Sequence, residues 1–459
     1  MNAPLVQSLI FRAVHLPCDP PPIILTAIYG FLVIAAVFLP VVSVIAMFCI
    51  WLERKLAGHF QSRIGPNRVG PFGLLQSIAD GIKLLLKEDL LPSEADRPLM
   101  RLAPYLTFAP VFMAFVALPF APDLVFEPRL SVGLFLLLSI LSVEVMGIIL
   151  AGWASNNKWS VYGAMREACQ MVSYEIPLGL SIIIGVMAAG TLNLVTLGFQ
   201  QGGGLHTWII FRNPFALLAF FTYFIASLAS NKRAPFDLPE SESELVAGYH
   251  TEYSGLRFSY FFFAEYAAMF VVGGIQAALF LGGWNDPFGI IGWAYAHYRP
   301  IYDGNPTFIH AIPLLACNLV GSSIFAGKAL LIIIVQMWIR WTLPRPRIDQ
   351  VLYACVKVLL PAACALLLGA AVWGLFVPNL TATPWTMING IRFNPWSLAS
   401  WHSQGAASTF IAQVVLTIIG VSGFGAIIAW IAYSIATGRG IKKRLTDPAP
   451  IDLKSAVGL

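Results

Sequence analysis

Apolar runs of about 20 residues recur along nearly the whole chain, and no other feature limits its fold so sharply. Each run is long enough to cross a ~30 Å hydrocarbon layer as an α-helix, whose backbone hydrogen bonds are internal. They place spans near residues 23–51, 102–120, 131–151, 170–190, 214–230, 259–281, 312–339, 351–377 and 408–437. The expected fold class is all-α, a polytopic membrane helix bundle of about nine transmembrane helices. Only 11% of the 459 residues are charged and 58% are hydrophobic, an excess that one water-soluble core could not hide. Pro110, Pro177 and Pro361 fall inside spans, where neighbouring helices can satisfy the freed carbonyls.

Several function classes drop out. A net charge of +5 does not suggest nucleic-acid binding. The six cysteines form no C-x-x-C pair and read as small core hydrophobes, and the seven histidines lack metal-ligand spacing. No Walker loop or dinucleotide fingerprint is present. The chain itself is expected to bind no nucleotide, metal or iron–sulfur cluster. The first apolar run lacks a basic region before it and a cleavage site after it, so it reads as a retained span.

Lys and Arg set the orientation. Nine spans put segments 52–101, 152–169, 231–258, 340–350 and 438–459 on one face, with 21 Lys/Arg, against 5 on the other. The rich face is expected to be cytoplasmic. Residues 1–22 then form an external N-terminal segment, and the C-terminus is cytoplasmic.

One cytoplasmic stretch, FGLLQSIADGIKLLLK, is amphipathic. Leu75, Ile78, Ala79, Ile82, Leu85 and Leu86 make one helical face, and Gln76, Asp80, Lys83 and Lys87 a narrow polar stripe. It is short for a span and reads as an interfacial helix. It could be a plain surface anchor or a wall of an amphipathic-ligand chamber with its polar stripe turned inward.

The residues able to carry chemistry are mostly acidic. Residues 233–266 contain Asp237, Glu240, Glu242, Glu244 and Glu252, with Glu265 in the following span. Helical or extended, this stretch brings several carboxylates close together, and crowding with partial burial favours shared protons. A solvated acidic loop is the bland alternative. Against it stand charged residues within or near spans: Glu144, Glu175, Glu265, Lys328 and Lys357. Such residues are costly in a bilayer and mark proton relays or structural pairs. Glu175, beside Tyr174, is read as opening a helix near the cytoplasmic interface; Lys357 as snorkelling; Lys328 as paired. Arg54, Arg63, Arg68, Arg166 and Arg233 are either positive-inside residues or an ion-paired surface for a partner.

Four motifs then carry a resemblance. ERKLAGHFQSRIGPNRVGPFGLLQSIADGIKLLLKED (53–89) looks like the signature of one membrane subunit of respiratory complex I, the proton-pumping NADH:quinone oxidoreductase. That subunit is called H in bacteria and subunit 1 in mitochondria. GWASNNKWSVYGAMREACQMVSYE (152–175), RAPFDLPESESELVAGYHTEYSG (233–255) with FFFAEY (261–266), and TLPRPRIDQ (342–350) are similar to its further motifs, in the same order.

The resemblance implies an eight-span core over residues 23–377 that contacts the hydrophilic arm and forms much of a quinone chamber. Arg54, Gln61, Arg63, Asp80, Lys83 and Phe262 match positions at or near that chamber. Glu175, Asp237, Glu240, Glu242, Glu244, Glu252 and Glu265 match acids proposed to join it to the proton path, and Arg166 and Arg233 match their basic partners. No residue would be catalytic in isolation. Quinone would be the substrate, and FMN and iron–sulfur clusters would belong to partner subunits. Expected partners are the hydrophilic-arm quinone-site subunits, and the small and antiporter-like membrane subunits. The expected location is the bacterial plasma (inner) membrane. Gly81 stands where some relatives carry a bulkier residue, and Glu144 has no matched position. Residues 378–459, with the ninth span and the basic tail GRGIKKR, depart from the eight-span pattern. Two alternatives stay open: a secondary transporter, which would show repeats that are not found here, and the homologous anchor of a proton-pumping hydrogenase.

Overall fold

The computed structural model describes residues 39–125, 130–239, 241–304 and 308–376. The described residues are helical, without strands. The main helices are α1 (Leu39–Phe60), α2 (Gln76–Leu86), α3 (Arg97–Ala117), α4 (Gly133–Ala154), α5 (Lys158–Ala189), α6 (Pro214–Ser230), α7 (Gly255–Phe280), α8 (Ile290–Gly304), α9 (Phe308–Thr342) and α10 (Leu360–Phe376). Six helical segments are long and apolar enough to cross a membrane, and α6 is a shorter apolar helix. With α1 they account for eight of the spans read from the sequence. The ninth, 408–437, lies outside the described residues, as do the N-terminal segment 1–22 and the basic tail.

The centre of the bundle is α7. Its apolar window is 89% buried, against 22–50% for the other long helices. α3, α6 and α9 pack around it, α1 also touches it, and α5 holds α4, α6 and α10. Close approach between α3 and α4 rests on Gly147. A Cβ there would press on Thr107 Oγ1 and stand 2.7 Å from the Thr107 nitrogen. Small residues let membrane helices approach in this way. α10 is entered through a helical turn (Ile348–Tyr353) and a π-helical stretch (Ala354–Leu359).

Two boundaries differ from the sequence reading in ways that matter. α1 runs on to Phe60, so Glu53 and Arg54 are helical residues and not loop. α5 is one helix of 32 residues, N-capped by Asn157, whose side chain accepts from the Trp159 N–H. Glu175 therefore lies mid-helix and does not open a helix. Pro177 does not break α5, and hydropathy alone cannot see the polar first turns that precede the apolar part.

Candidate functional site

The charged ends of α1, α5, α6 and α9 meet at one end of the bundle. Helical spacing decides which side chains point in. On α1 the buried residues Val42, Ala46, Cys49, Ile50, Glu53 and Ala57 form one stripe, so Glu53 faces the core while Arg54 turns away from it. On α5 the buried stripe includes Ser160, Gly163, Glu167, Gln170 and Tyr174. On α4, Leu137, Glu144, Gly147 and Ala151 lie on the buried side.

The centre of this region is the end of α6. The Lys232 N–H donates to the Ala229 carbonyl (3.2 Å) and the Arg233 N–H to the Leu228 carbonyl (3.2 Å), with Lys232 left-handed at φ 54°. This is a Schellman cap, in which glycine is the usual left-handed residue. The cap sends two adjacent cations into the bundle. Lys232 Nζ lies 2.9 Å from Glu144 Oε1 and 3.7 Å from Glu167 Oε1, all three side chains being buried. Arg233 lies 3.1 Å from both Glu53 and Glu265, with its guanidinium over the Tyr266 ring at 4.3 Å. Arg340 also donates to Glu53. Burial disfavours both cations, but the surrounding carboxylates outweigh it and hold Lys232 and Arg233 above their ordinary ranges. Glu167 is fully buried and, among the described residues, neither of its oxygens has a hydrogen-bond partner.

The acidic stretch does not form the single cluster expected of it. Asp237 pairs with Arg345 (3.2 Å), Glu244 with Arg166 (2.5 Å), and Glu252 accepts from Asn157 Nδ2 (2.6 Å). Positive-φ Val246 and Gly248 turn the chain between Glu244 and Glu252, which reach α5 at Arg166 and at its N-cap Asn157, while Asp237 reaches Arg345 beyond α9. Burial lifts the Asp237 carboxyl above its usual range against the pull of Arg345. Glu242 opens a short helix, Glu242–Leu245, and Glu240 lies outside the described residues. Glu175, on the exposed side of α5, is bonded by Ser142 of α4. His250 is packed among Tyr249, Phe258 and Phe261, and burial, then Lys232, pushes its imidazole down to about 3.

The second part of the site is α2. Half of its polar stripe turns inward: Asp80 pairs with Arg54 of α1, with Lys83 Nζ at 3.6 Å and Gln76 Nε2 at 3.4 Å, whereas the Lys83 and Lys87 side chains are exposed. Partial burial alone would raise the Asp80 carboxyl, but the Arg54 guanidinium and then Lys83 hold it below its usual range. Ser77 donates to the Met47 carbonyl (3.1 Å) and so fixes the helix against α1. The apolar face, Leu75, Ile78, Ile82, Leu85 and Leu86, points outward and is 43–83% exposed. Gln61 and Arg63 bond each other (2.6 Å) in the exposed loop before α2. Phe262 is half-buried on α7 against Phe258 and Tyr266, and α7 packs on α2. A Cβ on Gly81 would meet nothing within 4 Å, so this chain does not itself restrict the width there.

Sequence reading missed Glu53, Glu167 and Arg340, and left Glu144 without a role. The available signal was the pair Lys232–Arg233 directly after an apolar span. Two cations entering a bundle require acids on the neighbouring helices.

Such a bundle, with paired charges buried under an amphipathic surface helix, is a multi-pass helical membrane protein with a polar interior at one end. The model of the NADH dehydrogenase family matches residues 32–371. The chain is 45% identical to the H subunit of the NADH-quinone oxidoreductase of Chlorobium luteolum over 352 residues, covering 76% of this chain and 90% of that one. It is 44% identical to the second H-type subunit of Cytophaga hutchinsonii (73% and 96% covered) and 42% identical to the H subunit of Anaeromyxobacter dehalogenans (76% and 83%). The chain belongs to the NADH dehydrogenase family, as a membrane subunit of an NADH-quinone oxidoreductase. Residues 372–459 lie beyond the family match.

Proposed function

We propose that this subunit forms the quinone chamber with the hydrophilic arm, and that its buried carboxylates couple quinone reduction to proton translocation. The observation that carries the coupling role is the pair Lys232 and Arg233, each held between two buried carboxylates on different helices. Four acids sharing two cations in a low-dielectric interior respond jointly to any charge change nearby, because each pair's energy depends on its neighbours' protonation. Protonating Glu167 would break no hydrogen bond, so it is the acid in this set best placed to receive a proton.

In this reading the charged end is cytoplasmic, in a bacterial inner membrane with the N-terminus external. α2, with Arg54, Asp80, Lys83, Gln61, Arg63 and Phe262, lines the chamber and its entrance. The exposed apolar face of α2 suits lipid and a quinone tail. The Arg166–Glu244 and Arg345–Asp237 pairs lie between the hydrophilic arm and the buried network. Quinone reduction draws protons and alters the charge sensed by these pairs. The change passes to Lys232 and Arg233, and on through Glu175 toward the neighbouring membrane subunits.

Glu144→Gln, Glu175→Gln and Glu244→Gln are expected to assemble and to lower the number of protons moved per NADH oxidised in reconstituted vesicles. A wild-type ratio in all three would remove the coupling role. Arg54→Ala or Phe262→Ala is expected to raise the KM for quinone about tenfold, the equivalent of ~1.4 kcal/mol, and to change inhibitor sensitivity. Unaltered values in both would place the chamber elsewhere.

A further inference from the structure

At the end of the bundle opposite this network, a half-buried cation forms no ion pair among the described residues. Lys328 of α9 points at the turn that follows α7. Its Nζ donates to the carbonyls of Leu281 (2.6 Å), Gly283 (3.0 Å) and Asn285 (2.6 Å), and lies 4.2 Å from the centre of the Trp208 ring. Consecutive left-handed glycines, Gly282 at φ 80° and Gly283 at φ 55°, turn these three carbonyls toward one point. The nearby acids are engaged elsewhere. Asp286 spends its oxygens on the N–H groups of Phe288, Ile290 and Ile291, and Asp123 on Arg299, Tyr295 and Asn318. Such a site selects one protonation state by geometry. An ammonium has three N–H donors for three carbonyls, whereas a neutral amine would set a lone pair against an oxygen.

We propose that Lys328 and the Leu281–Asn285 turn form a proton-release gate on the far side of the bundle from the Lys232–Arg233 network. With the turn in place the ammonium is held. When the turn moves, an Nζ–H bond breaks, its electron pair stays on nitrogen, and the proton passes to water at the far face. A proton arriving from the bundle interior restores the ammonium. Buried amides stand between the two ends: Asn231, next to Lys232, donates to Gln336 (3.4 Å), and Gln336 to Ser227 (3.2 Å). Gln276 is fully buried, and its Oε1 has no hydrogen-bond partner among the described residues. From Gln336 to Lys328 is eight residues of α9, or about 12 Å of helix. A lysine capping the carbonyls at the end of α7 would also stabilise that helix terminus, so the test must separate capping from proton exchange.

The proposal rests on the coupling role given above. Lys328→Arg keeps a cation and its donors at the turn but cannot release a proton at any working pH. In the assembled complex reconstituted in vesicles, it is expected to lower the protons moved per NADH oxidised. That ratio does not depend on how much complex assembles or how fast it turns over. A wild-type ratio would overturn the gate. If Lys328→Arg does not assemble, Gly283→Ala decides. A Cβ there has room, its nearest neighbour being 3.7 Å away, but φ 55° strains it. The closed turn is weakened, and the variant is expected to leak protons and sustain a smaller NADH-driven pH gradient. A wild-type gradient would overturn the gate equally. Should the glutamate variants lose pumping while Lys328→Arg retains it, only the gate falls; if none loses pumping, the coupling reading itself fails.

Discussion

Membranes carrying Arg233→Met are expected to contain little assembled complex. Among the described residues Arg233 is the direct ion-pair partner of Glu265 and one of two for Glu53, the other being Arg340. Removing one member of a buried ion pair costs on the order of 3–5 kcal/mol, because the charge left behind can neither find water nor a new partner. The loss of the guanidinium over Tyr266 adds to this. A whole domain is stabilised by only about 5–15 kcal/mol, so the effect should show as missing protein and not merely as reduced activity. Native gels stained for NADH oxidation would read it directly. Adding Glu265→Gln to Arg233→Met should recover part of the assembly, since it removes the stranded charge. Wild-type assembly of the single variant would show that the pairings around Arg233 are not what holds these helices together.

Gly147→Leu is expected to be nearly as damaging for a different reason. The added side chain would meet the main chain of α3 at Leu106 and Thr107, where a Cβ already comes within 2.7–2.9 Å. Overpacking usually costs ~1–3 kcal/mol when side chains can shift; backbone cannot, so α3 and α4 must separate. Glu144 lies one turn away on α4, and that separation would also lengthen its 2.9 Å contact with Lys232. Thermal unfolding of the purified complex should fall, with Gly147→Ala intermediate, and pumping per NADH should fall with it. An unchanged midpoint for Gly147→Leu would mean that the two helices do not touch here.

Most of the fold was legible because spans announce themselves. Runs such as 131–151 and 259–281 leave no other structure open to them in a bilayer, and α4 and α7 lie where those runs predicted. The polar stripe of α2 was legible for the same reason, since Gln76, Asp80 and Lys83 repeat at helical spacing. The buried network was not. Glu53 and Glu167 sit beside Arg54 and Arg166 in short charged runs that read as helix ends in water. Only the register of their helices shows that each acid faces inward while its arginine neighbour faces elsewhere. The acids of the 233–266 stretch failed in the opposite direction: closeness in sequence suggested one cluster, and turns at Val246 and Gly248 sent them apart.

Lys232 and Arg233 hang from a single peptide unit, yet each serves a different set of helices. Inserting or deleting one residue here would move one cation onto the other's partners and carry the second away from both sets, and no single later substitution could restore them. The α6–α7 connection should therefore tolerate changes of side chain far better than changes of length. Drift in this lineage can redecorate that loop but has almost no freedom to resize it near its start.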